Sequence, residues 1–242
     1  MMPSSFLESP DAVDLLASDG SDPLVTVAAA IAELGRRAVV RHVDIVDGAL
    51  REAVVDAETK VGLVNVVVAN AAISQRAPFL EISEQDWNRM VAVNLTGTWN
   101  TPRAVLPAMR ERACGVIVLI GSIASSRGMA ELAHYSASKH GVAGLAKSVA
   151  PEFGVDGIRV NAVLPTRGLS PMLAFPALRR RLRLDLPDPR LEDARDLHAR
   201  RHVLPVPWVE SAAVTAAVSW LASDEARSVT GAELSVDAGA LL

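Results

Sequence analysis

Short apolar runs alternate with longer helical ones along this chain, and no other feature limits its fold so tightly. Val64 to Val68, Val116 to Ile120 and Val160 to Leu164 read as strands, the first apolar on both faces. Strands of that kind pair in parallel sheets covered by helices on both sides. The helical stretches are Pro23 to Arg36, Ala49 to Val61, Glu84 to Arg112, Ala133 to Phe153 and Val209 to Ala222. Asp22 caps the first, with Pro23 just inside its start. Ser83-Glu84-Gln85-Asp86 has the form of a capping box opening the third. Ala38 to Val43 reads as a further strand ending at Asp44, and Glu233 to Val236 as a final short one. The expected class is α/β, a doubly wound parallel sheet in one domain over residues 23–242. Met1 to Asp22 is expected to be a poorly ordered N-terminal segment.

Composition excludes several classes. The chain has 242 residues, 50% hydrophobic and 21% charged, which suits a globular protein with a sizeable core. A formal net charge of −4 argues against a nucleic-acid footprint. Cys114 is the only cysteine, so no intrachain disulfide can form, and a cytoplasmic setting is expected. No apolar stretch is long enough to span a membrane; Asn65 and Asn70 interrupt the longest, Val61 to Ile73. The amino terminus carries Glu8, Asp11, Asp14 and Asp19 without a basic residue, unlike a secretory signal. Arg179, Arg180, Arg181 and Arg183 are offset by Asp185, Asp188, Glu192, Asp193 and Asp196, which reads as a solvated helical lid. His134 and His140 lack metal-ligand spacing, and no catalytic metal is expected.

Chemistry concentrates around the only tyrosine. Tyr135 precedes Lys139 by four residues, one helical turn, so phenol and ammonium share a face. Ser122 ends the strand-like run Gly115 to Gly121, which puts its hydroxyl at the carboxyl edge of the sheet. Asn94 lies inside the amphipathic run Trp87 to Leu95; taken alone it reads as a core asparagine at a helix irregularity. Asn70-Ala71-Ala72 follows the apolar strand.

Together the Asn94, Ser122, Tyr135 and Lys139 spacings resemble the catalytic tetrad of the short-chain dehydrogenase/reductase family. The resemblance implies a Rossmann-like fold and hydride transfer between a nicotinamide cofactor and a secondary alcohol or ketone. Tyr135 is then the general acid or base. A free tyrosine titrates near ~10, and a cation about 4 Å away contributes roughly 4 kcal/mol, about 3 units, before desolvation opposes it. Lys139 is expected to supply that charge and to hold the nicotinamide ribose. Ser122 binds the substrate oxygen, and Asn94 holds a water linking Lys139 to solvent. Asp44 accepts from the adenine amino group, Asn70, Ala71 and Ala72 line the adenine ribose, and Ser170 meets the carboxamide. Residues 165–208 form the substrate lid, where Leu173, Phe175, Leu178 and Trp208 read equally as an apolar pocket for terpenoid or other cyclic alcohols and as lid-packing residues.

Two departures, Asn70-Ala71-Ala72 for Asn-Ala-Gly and Pro165-Thr166 for Pro-Gly, point to one branch. With His202 to Glu210 and Val236 to Leu242, they look like the mycofactocin-coupled, carveol-dehydrogenase-like members. That branch implies tightly bound NAD, mycofactocin as redox partner, and a homo-oligomer, dimer or tetramer. The family's T-G-x-x-x-G-x-G turn, whose amides bind pyrophosphate, has no counterpart: before Asp44 the only glycines are Gly20 and Gly35. The expected sheet is therefore N-terminally truncated, with the first two strands and their linking helix missing. The strand at Val64 should then gain a neighbour from Ala38 to Val43 directly, or from a partner chain. Alternatives are a catalytically impaired oligomerisation or interaction module, and a nicotinamide-independent isomerase or lyase using the same Tyr–Lys pair.

Overall fold

A computed structural model describes residues 22–166, 185–190 and 192–242. Ser170, Leu173, Phe175, Leu178 and the cluster Arg179, Arg180, Arg181 and Arg183 lie outside the described residues, as does the N-terminal segment before Asp22. Two helices come first, α1 (Pro23–Glu33) and α2 (Leu50–Val61). Strand β1 (Val66–Ala69) follows, then α3 (Glu84–Val91) and α4 (Thr98–Arg112). After β2 (Gly115–Ile120) come α5 (Ala133–Gly154) and β3 (Ile158–Pro165). The short α6 (Arg195–Ala199), α7 (Ser211–Ala222) and β4 (Glu233–Val236) complete the fold.

The four strands pair in chain order, all parallel, with Val118 opposite both Val68 and Asn161. Val105, Met109, Val142, Ala146 and Ala150 of α4 and α5 pack against Ile117, Leu119, Val160 and Ala162 on one face. Leu221 of α7 and Ala226 pack against Val118 and Val163 on the other. Alternate residues of one strand thus feed opposite cores, which is why β2 is apolar throughout and β3 is so apart from Arg159 and Asn161. The architecture is an α/β, Rossmann-like doubly wound sheet. No helix among the described residues is long and apolar enough to cross a membrane.

Local signals behave as their chemistry requires. Asp22 Oδ1 accepts from the Leu24 N–H at 2.9 Å, and Ser83 Oγ accepts from the Asp86 N–H at 3.1 Å. Helix α1 stops at Glu33, short of the expected Arg36. Gly35 takes φ +70, and the Arg36 N–H reaches the Ile31 carbonyl at 3.2 Å, a Schellman ending. The expected helix Glu84 to Arg112 is one rod interrupted by a π-helical turn, Ala92–Gly97.

Two expectations fail. Ala38 to Val43 forms no strand and does not close the sheet. Instead Ile45 packs on Gly97, and its carbonyl accepts from Asn100 Nδ2 at 3.0 Å, so this segment is drawn to the start of α4. Strand β1 is also not buried on both faces: Val66 and Val68 are 43% and 42% exposed. Among the described residues β1 pairs with β2 alone, and the cover from α4 reaches only the Val67 side.

Candidate active site

Ligands of open parallel sheets bind beyond the carboxyl ends of the strands. Ser122 stands there, two residues past β2. The chain leaves the strand through Gly121, where a Cβ would lie 2.5 Å from Leu164 Cδ2 and 2.8 Å from Ser125 Oγ. Ser122 then caps a 3₁₀ turn, Ile123–Ser125. Its Oγ accepts from the Ala124 N–H at 3.1 Å, while its own N–H donates to Ser125 Oγ at 3.2 Å. The hydroxyl is thereby held in place beside the Tyr135 phenol, whose titration it draws downward.

Tyr135 and Lys139 rise from the first turns of α5, packed against that 3₁₀ turn. Lys139 is 2% exposed, and its Nζ donates to the Ile120 carbonyl at 2.8 Å. That carbonyl ends β2, so the ammonium is fixed to the strand that delivers Ser122. The Nζ lies 5.9 Å from the centre of the Tyr135 ring. Ser122, Tyr135 and Lys139 therefore converge at one sheet edge.

Their electrostatics differ from the expectation. Burial pushes the Tyr135 phenol above its ordinary value, and the Ser122 hydroxyl only partly offsets this. Burial also brings Lys139 down from 10.5 to about 8. The expected lowering of the phenol by the ammonium is overturned. Desolvation penalises both charged forms, and the ammonium is spent on a carbonyl rather than held against the phenolate.

Asn94 sits at the centre of the π-helical turn, fully buried. Its Oδ1 accepts from the Ile73 N–H at 2.8 Å, and its Nδ2 donates to the Ile73 carbonyl at 2.9 Å. The same Nδ2 approaches Ser138 Oγ at 3.2 Å, and Ser138 donates to the Tyr135 carbonyl at 2.7 Å. Asn94 thus clips the segment after β1 to α5 beside Lys139.

The remaining candidates are less tightly held. Asn70 and Ala71 are exposed and Ala72 is half-buried in the loop leaving β1. Asp44 is exposed, with Oδ1 accepting from the Val46 N–H at 2.9 Å in a turn rather than at a strand end. Among the described residues no hydrogen bond joins it to the other candidates. Ser125, Ser138 and the Ile120 carbonyl were missed from sequence. Ser122-Ile123-Ala124-Ser125 has capping-box spacing and was legible; the Ile120 carbonyl belongs to the backbone and leaves no residue signature.

The comparisons with known proteins agree with this architecture. A family model described as enoyl-(acyl carrier protein) reductase matches residues 12–240. (-)-trans-Carveol dehydrogenase of Rhodococcus erythropolis is 40% identical over 227 residues, 92% of this chain and 81% of that protein. The structure of carveol dehydrogenase from Mycobacterium avium in complex with NAD matches with TM-score 0.89 at 38% identity, covering 95% of this chain and 84% of that one. A short chain dehydrogenase from Mycobacterium paratuberculosis bound to NAD matches with TM-score 0.79 at 32% identity, covering 94% and 85%. Sheet, site geometry and relatives coincide: the chain belongs to the short-chain dehydrogenase/reductase family.

Proposed function

We propose that this protein is an oxidoreductase that moves a hydride between a secondary alcohol or its ketone and NAD. The observation that carries this reading is the convergence of Ser122, Tyr135 and Lys139 at the carboxyl edge of β2. The carveol dehydrogenases similar to this chain support an alcohol substrate, and the NAD-bound structures support the cofactor.

The site's chemistry suits the nicotinamide end of such a cofactor. Lys139 spends one proton on Ile120, and its remaining N–H groups match ribose hydroxyls. The nicotinamide supplies the hydride acceptor or donor when bound. Ser122 orients the substrate oxygen beside the phenol. Tyr135 takes the carbinol proton in oxidation and returns it in reduction. Asn94 braces the helix turn that carries both Tyr135 and Lys139. Its water-holding role and the adenine-side roles of Asp44, Asn70, Ala71 and Ala72 are part of the same proposal, as is the carboxamide contact of Ser170.

The finer assignments rest on branch likeness in His202 to Glu210 and Val236 to Leu242. They are a cyclic or terpenoid alcohol, tightly held NAD recycled by mycofactocin, a homotetramer and a cytoplasmic location. One observation favours the second reading, an impaired chain serving as an interaction module: the apolar side chains of Val66, Val68, Leu24 and Val25 are exposed. Titrating the purified chain with NAD and then a secondary cyclic alcohol separates the two. Saturable micromolar binding with NADH formation supports the dehydrogenase. Absence of binding at millimolar NAD overturns it for this chain.

A further inference from the structure

The turn that follows β4 is held by a dense set of hydrogen bonds. Asp237 is buried, and both its carboxylate oxygens are spent on that turn. Oδ1 accepts from the Gly239 N–H and Oδ2 from the Leu241 N–H, each at 3.0 Å. The Ala240 N–H returns to the Asp237 carbonyl at 3.0 Å. Gly239 has φ +81, and a Cβ there would lie 2.7 Å from Val203 Cβ, so the turn is also pressed against the arm after α6.

Three carbonyls of this segment receive distant parts of the molecule. Val236 O accepts from the Thr166 N–H at 3.3 Å, where the chain leaves β3. Ala238 O accepts from the N–H groups of Val203 and Leu204, both at 3.0 Å. Ala240 O accepts from Arg127 Nη1 at 2.7 Å. Arg127 belongs to the serine loop: its N–H joins that of Ser126 on the Ile123 carbonyl, at 3.2 and 3.1 Å, just past the 3₁₀ turn that Ser122 caps. A guanidinium–carbonyl bond is charge-assisted and stronger than a neutral one. Here it is the side-chain anchor of the exposed stretch Ser126 to Gly128.

We propose that Arg127 is a positioning residue for Ser122: by gripping Ala240 O it holds the serine loop on the C-terminal turn, which in turn fixes Thr166 and the Val203–Leu204 arm. The residue touches neither substrate nor reacting atoms; it acts through the loop. The proposal deepens the dehydrogenase reading and rests on it. A loosened loop lets the Ser122 hydroxyl drift from Tyr135, and that hydroxyl is what draws the phenol's titration downward.

The test compares Arg127→Ala, Arg127→Lys, deletion of Ala240 to Leu242, and the Arg127→Ala deletion double variant in the full chain. Arg127→Ala and the deletion should each lower kcat for alcohol oxidation by about tenfold, with no further loss in the double variant. KM for NAD should stay within about twofold, the rise of oxidation rate with pH should move to higher pH, and Arg127→Lys should recover most of kcat. Additive losses, an unmoved pH profile or no recovery by lysine overturn the proposal. Hydrogen exchange gives a readout independent of turnover: both single changes should speed exchange at Ala124 to Gly128, and unchanged rates there refute the brace. Absence of NAD binding to the unmodified chain, together with faster exchange in both variants, sinks the dehydrogenase reading and leaves the brace standing.

Discussion

Tyr135 and Lys139 lie one helical turn apart, and Coulomb's law alone argues that the ammonium should pull the phenol's titration down. Burial reverses that argument, because taking either charge out of water costs more than the pair recovers across 5.9 Å from nitrogen to ring centre. In ketone reduction the phenol and the ammonium must both be protonated. The phenol is raised, so the first proton lost belongs to Lys139, at about 8. The reduction rate should therefore fall as pH rises through about 8; a rate level up to about pH 10 assigns the limb to Tyr135 instead. Lys139 also links stability to pH. Its folded value lies below 10.5, so the unfolded chain holds the proton more strongly between about 8 and 10.5, and stability rises with pH across that window. Denaturation of Lys139→Met beside the unmodified protein should show their difference shifting in favour of the latter by about 3 kcal/mol from below about pH 7 to above about pH 11. An unchanging difference contradicts the burial argument. Replacing Tyr135 by Phe should cut kcat by about 10²–10⁴ with the far-ultraviolet spectrum preserved.

At the scale of elements, strand β2 carries the site. Its last carbonyl holds Lys139, and the glycine after it lets the chain turn between Leu164 and Ser125 into the loop that presents Ser122. Gly121→Ala should cost roughly 1–3 kcal/mol in chemical denaturation, since neither β3 nor Ser125 can withdraw freely. It should also lower kcat by displacing Ser125, the partner of the Ser122 backbone. An alanine variant of unchanged stability and rate places the tight contact elsewhere. The helix following β1 shows why legibility differed between elements. Ser83 and Asp86 announced its start through local capping chemistry. The π-helical turn was foreshadowed only by Asn94, which alone reads as a core asparagine at a helix irregularity; its partners Ile73 and Ser138 are far away in sequence and left no local sign.

At the scale of the molecule, the consequence is a flank left uncovered among the described residues. There the sheet runs from β1 at one margin to β4 at the other, and β1 keeps one apolar face exposed. An exposed apolar edge invites pairing with another chain. Val68→Lys should change the stability of the isolated chain by less than about 0.5 kcal/mol, as surface substitutions do. A loss of several kcal/mol, measured together with oligomeric state by light scattering, shows that the face is covered in solution. The same flank explains the failed strand at Ala38 to Val43. Its residues have strand propensity, but pairing also needs an adjacent edge, and the Ile45 contact with Gly97 carries the segment to α4 instead.

Periodicity and spacing were enough to read the parallel α/β class, the strands around Val67, Val118 and Val160, and the grouping of Ser122, Tyr135 and Lys139. Those features depend on residues near one another along the chain, or on patterns every parallel sheet must satisfy. Which strand becomes an edge, how far Asn94 reaches, and whether a charge is stabilised or penalised depend on distances across the folded molecule. Solvent exclusion at Lys139 is the clearest instance: its neighbours in sequence promise a helix-surface cation, while the strand end and the turn packed over it remove the water that would keep its pKa ordinary.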